Sequence, residues 1–455
     1  MAAGVAAGLA CAPPSPPPPK GAVVPADVVF DVAFASLDDA VAVHDVIAGA
    51  GLIGTKVGQL SRSGLEAAGL GPPLVAASRE NGGVFLSGVL HDVVRFNAAV
   101  ALVLPETGWR RRRVLGQVDA LDDADGNTKA LLRAGGGVVV VVVDPVDVLA
   151  ESALVEALCS GGLAPLTRTP TGTTVTVQPV GPLKGIIDGP LAGTLTSSGS
   201  TLTLSSSATL SGTPEAQALS QSLRSQPSAQ ACVAEDGAIV VAHIPAVGAF
   251  KDAAVDLTDV SVGAAVDAFA GRLTIALRPA PAGTPYDPND LATVASLVVV
   301  GTPRPGVGAE ALRKSVADAI AGAPTQEKVV GTRTVRTLGQ GAGRPWRQVA
   351  VVTDDDVFAF GLGDVAVVDR VAADPVCAAS HRLLLADGVA LAQLVSRARP
   401  DLALLRKVAA MTGADDPLGM LAGVGRAELD ASSTPAGAGG RLDLRLALTL
   451  VRRAK

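Results

Sequence analysis

The sequence predicts an α+β protein of largely antiparallel sheets with helices packed on one face. Three observations carry the prediction. Short Val-rich runs such as residues 138–143 alternate with stretches whose apolar residues recur at helical spacing. Asn81-Gly82-Gly83 sits between two such runs, and Asn and Gly readily adopt the positive φ that hairpin turns need. The chain closes on Leu442, Leu444, Leu446, Leu448 and Leu450 in strict alternation. They face Ala427, Leu429 and Ala431 across a Pro/Gly-rich loop, the pattern of a hairpin with one buried face.

Taken in order, folded structure is expected to begin near Val23, with residues 28–34 alternating as a strand. Ser36 then caps a helix that Gly49 and Gly51 end. Its hydroxyl can accept the free N–H groups of the first turn, and Asp38 and Asp39 suit the positive end of the dipole. A short helix over 59–68 precedes strands at 74–77, 84–90 and 96–104. A strand at 114–118, an acidic turn (Asp122, Asp123, Asp125, Gly126) and the strand 138–143 follow, and Asp144-Pro145 opens a helix to residue 158. Residues 167–212 are rich in Thr, Ser, Gly and Pro. There 173–177, 194–196 and 201–205 alternate polar with apolar, as strands with one wet face do, which favours a sheet over a mobile linker. Beyond them lie helices at 214–223, 262–269, 309–320, 387–397 and 401–411, and strands at 238–243, 272–277 and 297–300. Strands at 349–352 and 357–360 lead to a helix from Asp364 to residue 372.

Trp109-Arg110 and Trp346-Arg347 each lead into strand, acidic turn, strand and helix, the second acidic turn being Asp354–Asp356, which reads as solvated. The pairing raises an internal duplication, two related halves. The expected organisation is 1–22 as a leader remnant and Pro-rich tether, 23–162 as an α+β domain, 163–229 as a Ser/Thr-rich β connection and 230–455 as a second α+β domain.

Composition excludes several function classes. Hydrophobic residues reach 48% with a mean hydropathy of +0.41, yet no apolar run approaches the roughly 20 residues of a spanning helix. Aromatics at 2% and a net charge of −6 leave neither stacking platforms nor clustered positive charge for a nucleic-acid partner. The four cysteines, Cys11, Cys159, Cys232 and Cys377, form no Cys-x-x-Cys pair, so a structural zinc site is not expected. With Cys11 set apart, the other three allow one disulfide and one free thiol, and the pairing stays open.

Local motifs resolve mostly into turns. Residues 49–54 have dinucleotide-loop spacing, but they follow a helix and read as its cap; Lys56 after Thr55 reverses the order of a phosphate loop. Residues 121–126 have the spacing of a calcium loop, but its first and twelfth positions are Leu121 and Leu132, which cannot coordinate. Of the histidines His44, His91, His243 and His381, the first two adjoin Asp45 and Asp92, and sequence neighbours point different ways. No Gly-x-Ser-x-Gly, Ser-x-x-Lys or His-Glu-x-x-His occurs, so no catalytic residue, cofactor-binding residue or metal ligand is assigned. The one unusual cluster is Trp109 with Arg110, Arg111, Arg112 and Arg113. It is a candidate anion-binding site for a lipid headgroup or polyanion, weighed against a charged strand guarding a sheet edge.

Residues 1–12 are small or apolar and end around Cys11, and a Pro-rich stretch that favours extended polyproline II follows. Gly8 stands where a lipobox carries a large aliphatic residue, and no basic residue precedes Lys20. Together with residues 357–364 leading into a helix and the final Leu-rich hairpin, this start resembles exported bacterial lipoproteins. The resemblance implies a lipidated Cys11, membrane attachment through it, a cell-envelope location (periplasmic or outer-surface) and an envelope partner or ligand. It implies no cofactor and carries no functional residue across. The expected function is a non-enzymatic envelope-associated protein with a binding or structural role. One alternative is a hydrolase-like enzyme whose site assembles from distant residues, which a convergent Ser/His/Asp or carboxylate cluster in a pocket would favour. Another is a cytoplasmic scaffold, which four free thiols would favour.

Overall fold

The computed structural model describes residues 24–25, 27–50, 61–80, 83–160, 170–225, 229–247, 267–287, 290–319, 324–338, 348–373, 382–399, 417–437 and 439–451. It divides into two units, one of residues 1–40 and 61–173 and one of residues 41–60 and 174–455.

The first unit contains β1 (Val28–Phe34), the start of α1 (Leu37–Gly49), α2 (Arg62–Ala67), β2 (Leu70–Arg79), β3 (Val84–Leu90) and α3 (Val93–Thr107). The strands β4 (Arg110–Leu115), β5 (Val118–Asp122), β6 (Thr128–Gly135) and β7 (Val138–Val143) and helix α4 (Val148–Cys159) complete it. The strands pair antiparallel in the order β4–β5–β6–β7–β3–β2–β1. Ser36 accepts the Asp39 backbone N–H at 3.1 Å and donates to the Asp39 carboxylate at 2.8 Å, the cap its position predicts.

Three expectations are corrected here. Residues 96–104 are helical, not a strand. Asp92 accepts the N–H groups of Val94 and Arg95 at 2.9 and 3.0 Å, and this cap starts α3 ahead of the apolar run. The span 114–118 is two strands, broken at Gly116 (φ 52°), a left-handed turn residue. Helix α4 starts at Val148, capped by Asp147 rather than by Asp144-Pro145.

The second unit holds β8 (Thr173–Val177), β9 (Ile187–Ser198), β10 (Thr201–Leu210), α5 (Pro214–Arg224), α6 (Ala229–Glu235), β11 (Val240–Ile244), β12 (Phe269–Pro279) and β13 (Ala295–Pro303). It continues with α7 (Gly308–Ala319), β14 (Thr325–Val330), β15 (Arg333–Leu338), β16 (Val349–Thr353), β17 (Phe358–Leu362) and α8 (Val365–Ala372). Its last elements are β18 (Arg382–Ala386), α9 (Gly388–Ala398), α10 (Pro417–Gly423), β19 (Val424–Thr434) and β20 (Arg441–Leu450). Here the antiparallel order is β8–β9–β10–β20–β19–β18–β11–β12–β13–β17–β16–β15–β14. The Ser/Thr-rich strands β9 and β10 are part of this sheet, as their alternation suggests. The helix expected over 401–411 and most of that over 262–269 lie outside the described residues.

The order β11–β12–β13–β17–β16–β15–β14 repeats β1–β2–β3–β7–β6–β5–β4 strand for strand, and β18–β19–β20 repeats the meander β8–β9–β10. Details agree as well. The register of β2 on β3 shifts just before Leu74, which pairs with Gly88; that of β12 on β13 shifts just before Leu273, which pairs with Gly301. A Cβ at Gly88 would lie 2.6 Å from Leu74 Cδ2, and one at Gly301 would lie 2.7 Å from Phe269 Cδ1 and 3.0 Å from Leu273 Cδ1, so Gly88 makes room for its leucine and Gly301 for Phe269 as well as its leucine. In the repeated strand order β16, which follows Trp346, takes the place of β6, whereas the strand that follows Trp109 is β4.

The expected single helix-bearing face is also corrected: each unit carries helices on both faces of its sheet. In the first, Leu131, Val138, Val140 and Val142 pack with Val155 and Leu158 of α4, while Leu132 and Val139 pack with Phe96 of α3. Neighbouring residues of a strand face opposite ways, so α3 and α4 must lie on opposite sides. In the second, Val298, Val300 and Ala359 pack with Val368 and Val371 of α8, and Val299 and Phe358 pack with Leu312 of α7. A run of six valines survives in β7 because both of its faces are covered.

Candidate functional site

Strands β11 and β12 set His243 directly opposite Thr274. Both side chains are buried, and His243 Nδ1 lies 2.8 Å from Thr274 Oγ1. The other ring nitrogen, Nε2, lies 2.9 Å from Glu235 Oε1, at the end of α6. Arg382 of β18 donates to Glu235 Oε2 at 3.1 Å. The result is a continuous chain of hydroxyl, imidazole, carboxylate and guanidinium. Burial alone would push the Glu235 carboxyl up, but the hydrogen bonds and charges of His243 and Arg382 outweigh it and hold the group below its ordinary value.

This chain ends at a cavity of about 660 Å³ walled by α5, β12 and β13. His243, Thr274, Ser222, Arg272, Gly301 and Arg304 are among its lining residues. Arg272 stands in the β12 irregularity. It donates through Nε and Nη2 to the Ser222 carbonyl at 3.1 and 2.5 Å, and through Nη2 to the Ser225 carbonyl at 3.0 Å.

The matching positions of the first unit are apolar. Counting from the paired leucines, Leu74 opposite Phe34 and Leu273 opposite Ile244, the next pair is Ala33–Val75 in the first unit and His243–Thr274 in the second. Ala33 and Val75 are core residues, 0% and 2% exposed. The residue before the leucine is Pro73 in one and Arg272 in the other. The strand arrangement is thus compatible with a wholly apolar pair, and the polar chain is particular to the second unit.

The residues singled out by sequence behave differently. Three arginines of the 110–113 run are committed to carboxylates: Arg111 and Arg113 to the buried Asp119, Arg112 to Asp122 at 2.6 Å. The Arg112 bond, opposed by partial burial and aided by Thr128, holds the Asp122 carboxyl below its usual range. Trp109 is half-buried, the four arginines are exposed, and among the described residues β4 pairs only with β5. The geometry is that of a charged edge strand. Asp123 accepts the N–H groups of Asp125 and Asn127, a turn rather than an ion cage. The Asp354–Asp356 turn is tied down rather than simply solvated, with Asp356 on the buried Arg333 and Asp355 on Arg313, each at 2.6 Å. Among the described residues no group of His, Cys, Asp and Glu could hold a metal ion. His44 lies 3.3 Å from Asp45, and His91 Nε2 crowds Gly71. Cys159 is a buried free thiol pushed up to about 12 by burial, and Cys232 is disulfide-bonded. Cys11, Cys377, Trp346, His381 and the 51–54 part of the glycine motif lie outside the described residues.

Sequence reasoning missed Glu235, His243, Arg272, Thr274 and Arg304 as a site. The available signal was a histidine and a threonine inside two otherwise apolar strands that could pair. No family model, curated protein or solved structure matches this chain. Among the described residues no helix is long and apolar enough to cross a membrane.

Proposed function

We propose that the protein is a non-catalytic ligand-binding protein of the cell envelope, built from two related halves, of which the second carries the binding pocket. The observation that carries the reading is the His243–Thr274 pair at a cavity wall where the other half places Ala33 and Val75. A buried imidazole and hydroxyl cost desolvation, which a core of this kind avoids with apolar residues. Their retention at a cavity is what a recognition site requires. Kinship of the halves is supported by the repeated strand order and by the two bulge–leucine–glycine sites. The envelope location is supported by Cys11 with its Pro-rich tether and by the disulfide at Cys232, a bond suited to oxidising compartments.

The test is native mass spectrometry of protein purified from its own cells, for wild type and for the His243→Ala/Thr274→Val variant that copies the Ala33–Val75 pair. A small molecule retained by wild type and lost from the folded variant is the expected result. Equal retention by both, or none by either, would speak against the pocket.

The same chain favours one second reading. A hydroxyl, an imidazole and a carboxylate in sequence are the order of an acyl-transfer relay, with Thr274 as nucleophile and His243 as base. Thr274 is 2% exposed, which favours binding over attack on a substrate. A fluorophosphonate adduct on Thr274 would establish the enzymatic reading in place of the first.

A further inference from the structure

Arg272 differs from its peers. The other buried or half-buried arginines among the described residues, Arg79, Arg133, Arg278, Arg333, Arg336 and Arg382, each pair with a carboxylate. Arg272 has no carboxylate partner among the described residues; its partners there are two backbone carbonyls, and its Nη1 has no acceptor among them. Burial pushes its guanidinium down from the ordinary value, and no neighbouring charge offsets that. A partly desolvated cation is costly unless a counter-charge completes it.

A second arginine lines the same cavity. Arg304 follows β13, and its backbone is fixed by its N–H donating to the Ala268 carbonyl at 2.8 Å and its own carbonyl accepting from Gly308 at 2.8 Å. Its side chain is exposed and pairs with no carboxylate among the described residues. Glu215, exposed on the first turn of α5, is the only acidic residue of the lining among the described residues, where the two arginines outnumber it. The Thr302 hydroxyl is a further neutral group in the lining able to donate to an anion that the arginines attract.

We infer that the cavity between α5, β12 and β13 binds a small molecule through an anionic group, carboxylate or phosphate, held by Arg272 and Arg304 over the Thr274–His243 pair. This rests on the ligand-binding reading above and names the ligand's charge. Guanidinium forks suit both oxyanions, so the chemistry is shared and the probes separate the sources.

The experiment titrates full-length protein with inorganic phosphate and, separately, with succinate, at ionic strength matched by sodium chloride, and reads melting temperature and binding heat. The expected result is a saturable rise with at least one probe and none with chloride. A response to phosphate assigns a phosphorylated ligand, and a response to succinate assigns a carboxylate. Arg304→Met, at a side chain that makes no ion pair with the described residues, should weaken the responding probe about tenfold or more. Arg272→Met should abolish the response, with Arg272→Lys retaining part of it. The inference is overturned if neither probe gives a saturable response, or if both arginine variants respond as wild type does. A co-purified molecule that binds with the same affinity to Arg304→Met and Arg272→Lys would overturn the anionic contact while leaving the pocket itself standing.

Discussion

His243 on β11 and Thr274 on β12 are cross-strand partners 31 positions apart, joined side chain to side chain at 2.8 Å within the buried layer of the second unit. Removing one partner leaves a buried polar atom without its bond, which costs about 1–3 kcal/mol. Thr274→Val should therefore lower stability by that order. The His243→Ala/Thr274→Val double variant should cost less than the sum of the two single changes. Urea unfolding of the four proteins measures the coupling, and strict additivity would show that the bond contributes nothing.

The acid limb of the stability profile should bear the mark of Glu235. Its folded-state pKa is depressed, so its contribution is complete above the unfolded value, about 4.3. The contribution is lost as pH falls through the folded value. Wild type should exceed Glu235→Gln in stability at neutral pH, and the gap should close below about pH 4. A gap that widens on acidification would contradict the assignment.

Two glycines should respond differently to a methyl group. At Gly308 a Cβ would stand 2.2 Å from the Ala268 carbonyl oxygen, a backbone atom that cannot step aside. At Gly88 the obstacle is Leu74 Cδ2, the end of a flexible side chain. Gly308→Ala should cost on the order of 1–3 kcal/mol and Gly88→Ala clearly less, as read by thermal melting.

Cys159, with its thiol pushed up to about 12, should resist alkylation at neutral pH in the native protein and react in denaturant. Peptide mapping after iodoacetamide checks this. Rapid labelling of the folded chain would mean that the α4–β6 layer opens.

At the amino terminus, the envelope reading expects a diacylglycerol-modified Cys11 in the membrane fraction of the native cells. Mass spectrometry of the terminal peptide decides it. An unmodified Met1 or Ala2 terminus in the cytosol would remove the anchor and favour a scaffold.

Much of the fold was legible because its periodicities are local. The alternating leucines of β20, the Ser36 cap and the strand at 28–34 need only near neighbours. Residues 96–104 misled because an apolar run broken only at Asn97 does not distinguish strand from buried helix; the Asp92 cap directly ahead of the helix's first residue, Val93, was the signal to weigh. Val114 to Val118 misled because the reversal at Gly116-Gln117 takes only two residues, short enough to read as the polar positions of one strand. The candidate site was not legible. Glu235, His243, Arg272, Thr274 and Arg304 are brought together by strand register and by the end of α6, and neither is written in any short motif. The arginine run drew attention by its density, whereas the more informative cation was a single arginine without a carboxylate.

The β10–β20 ladder has a property of its own. Thr201 pairs with Ser198, and Arg441 with Thr434, as the first pairs after their hairpin loops, which makes residues 201–210 the counterparts of 441–450. Leucine recurs at 202 and 442, 204 and 444, and 210 and 450. In that frame Ser205 faces Arg445, its own counterpart. The two strands therefore meet as identical edges related by a twofold axis would, the geometry of an isologous contact. A single-half chain of this design would carry a self-recognising edge, and two such chains could close it on each other. In this polypeptide the pairing is intramolecular, so an edge that would otherwise invite a second copy is closed by the chain's own last strand.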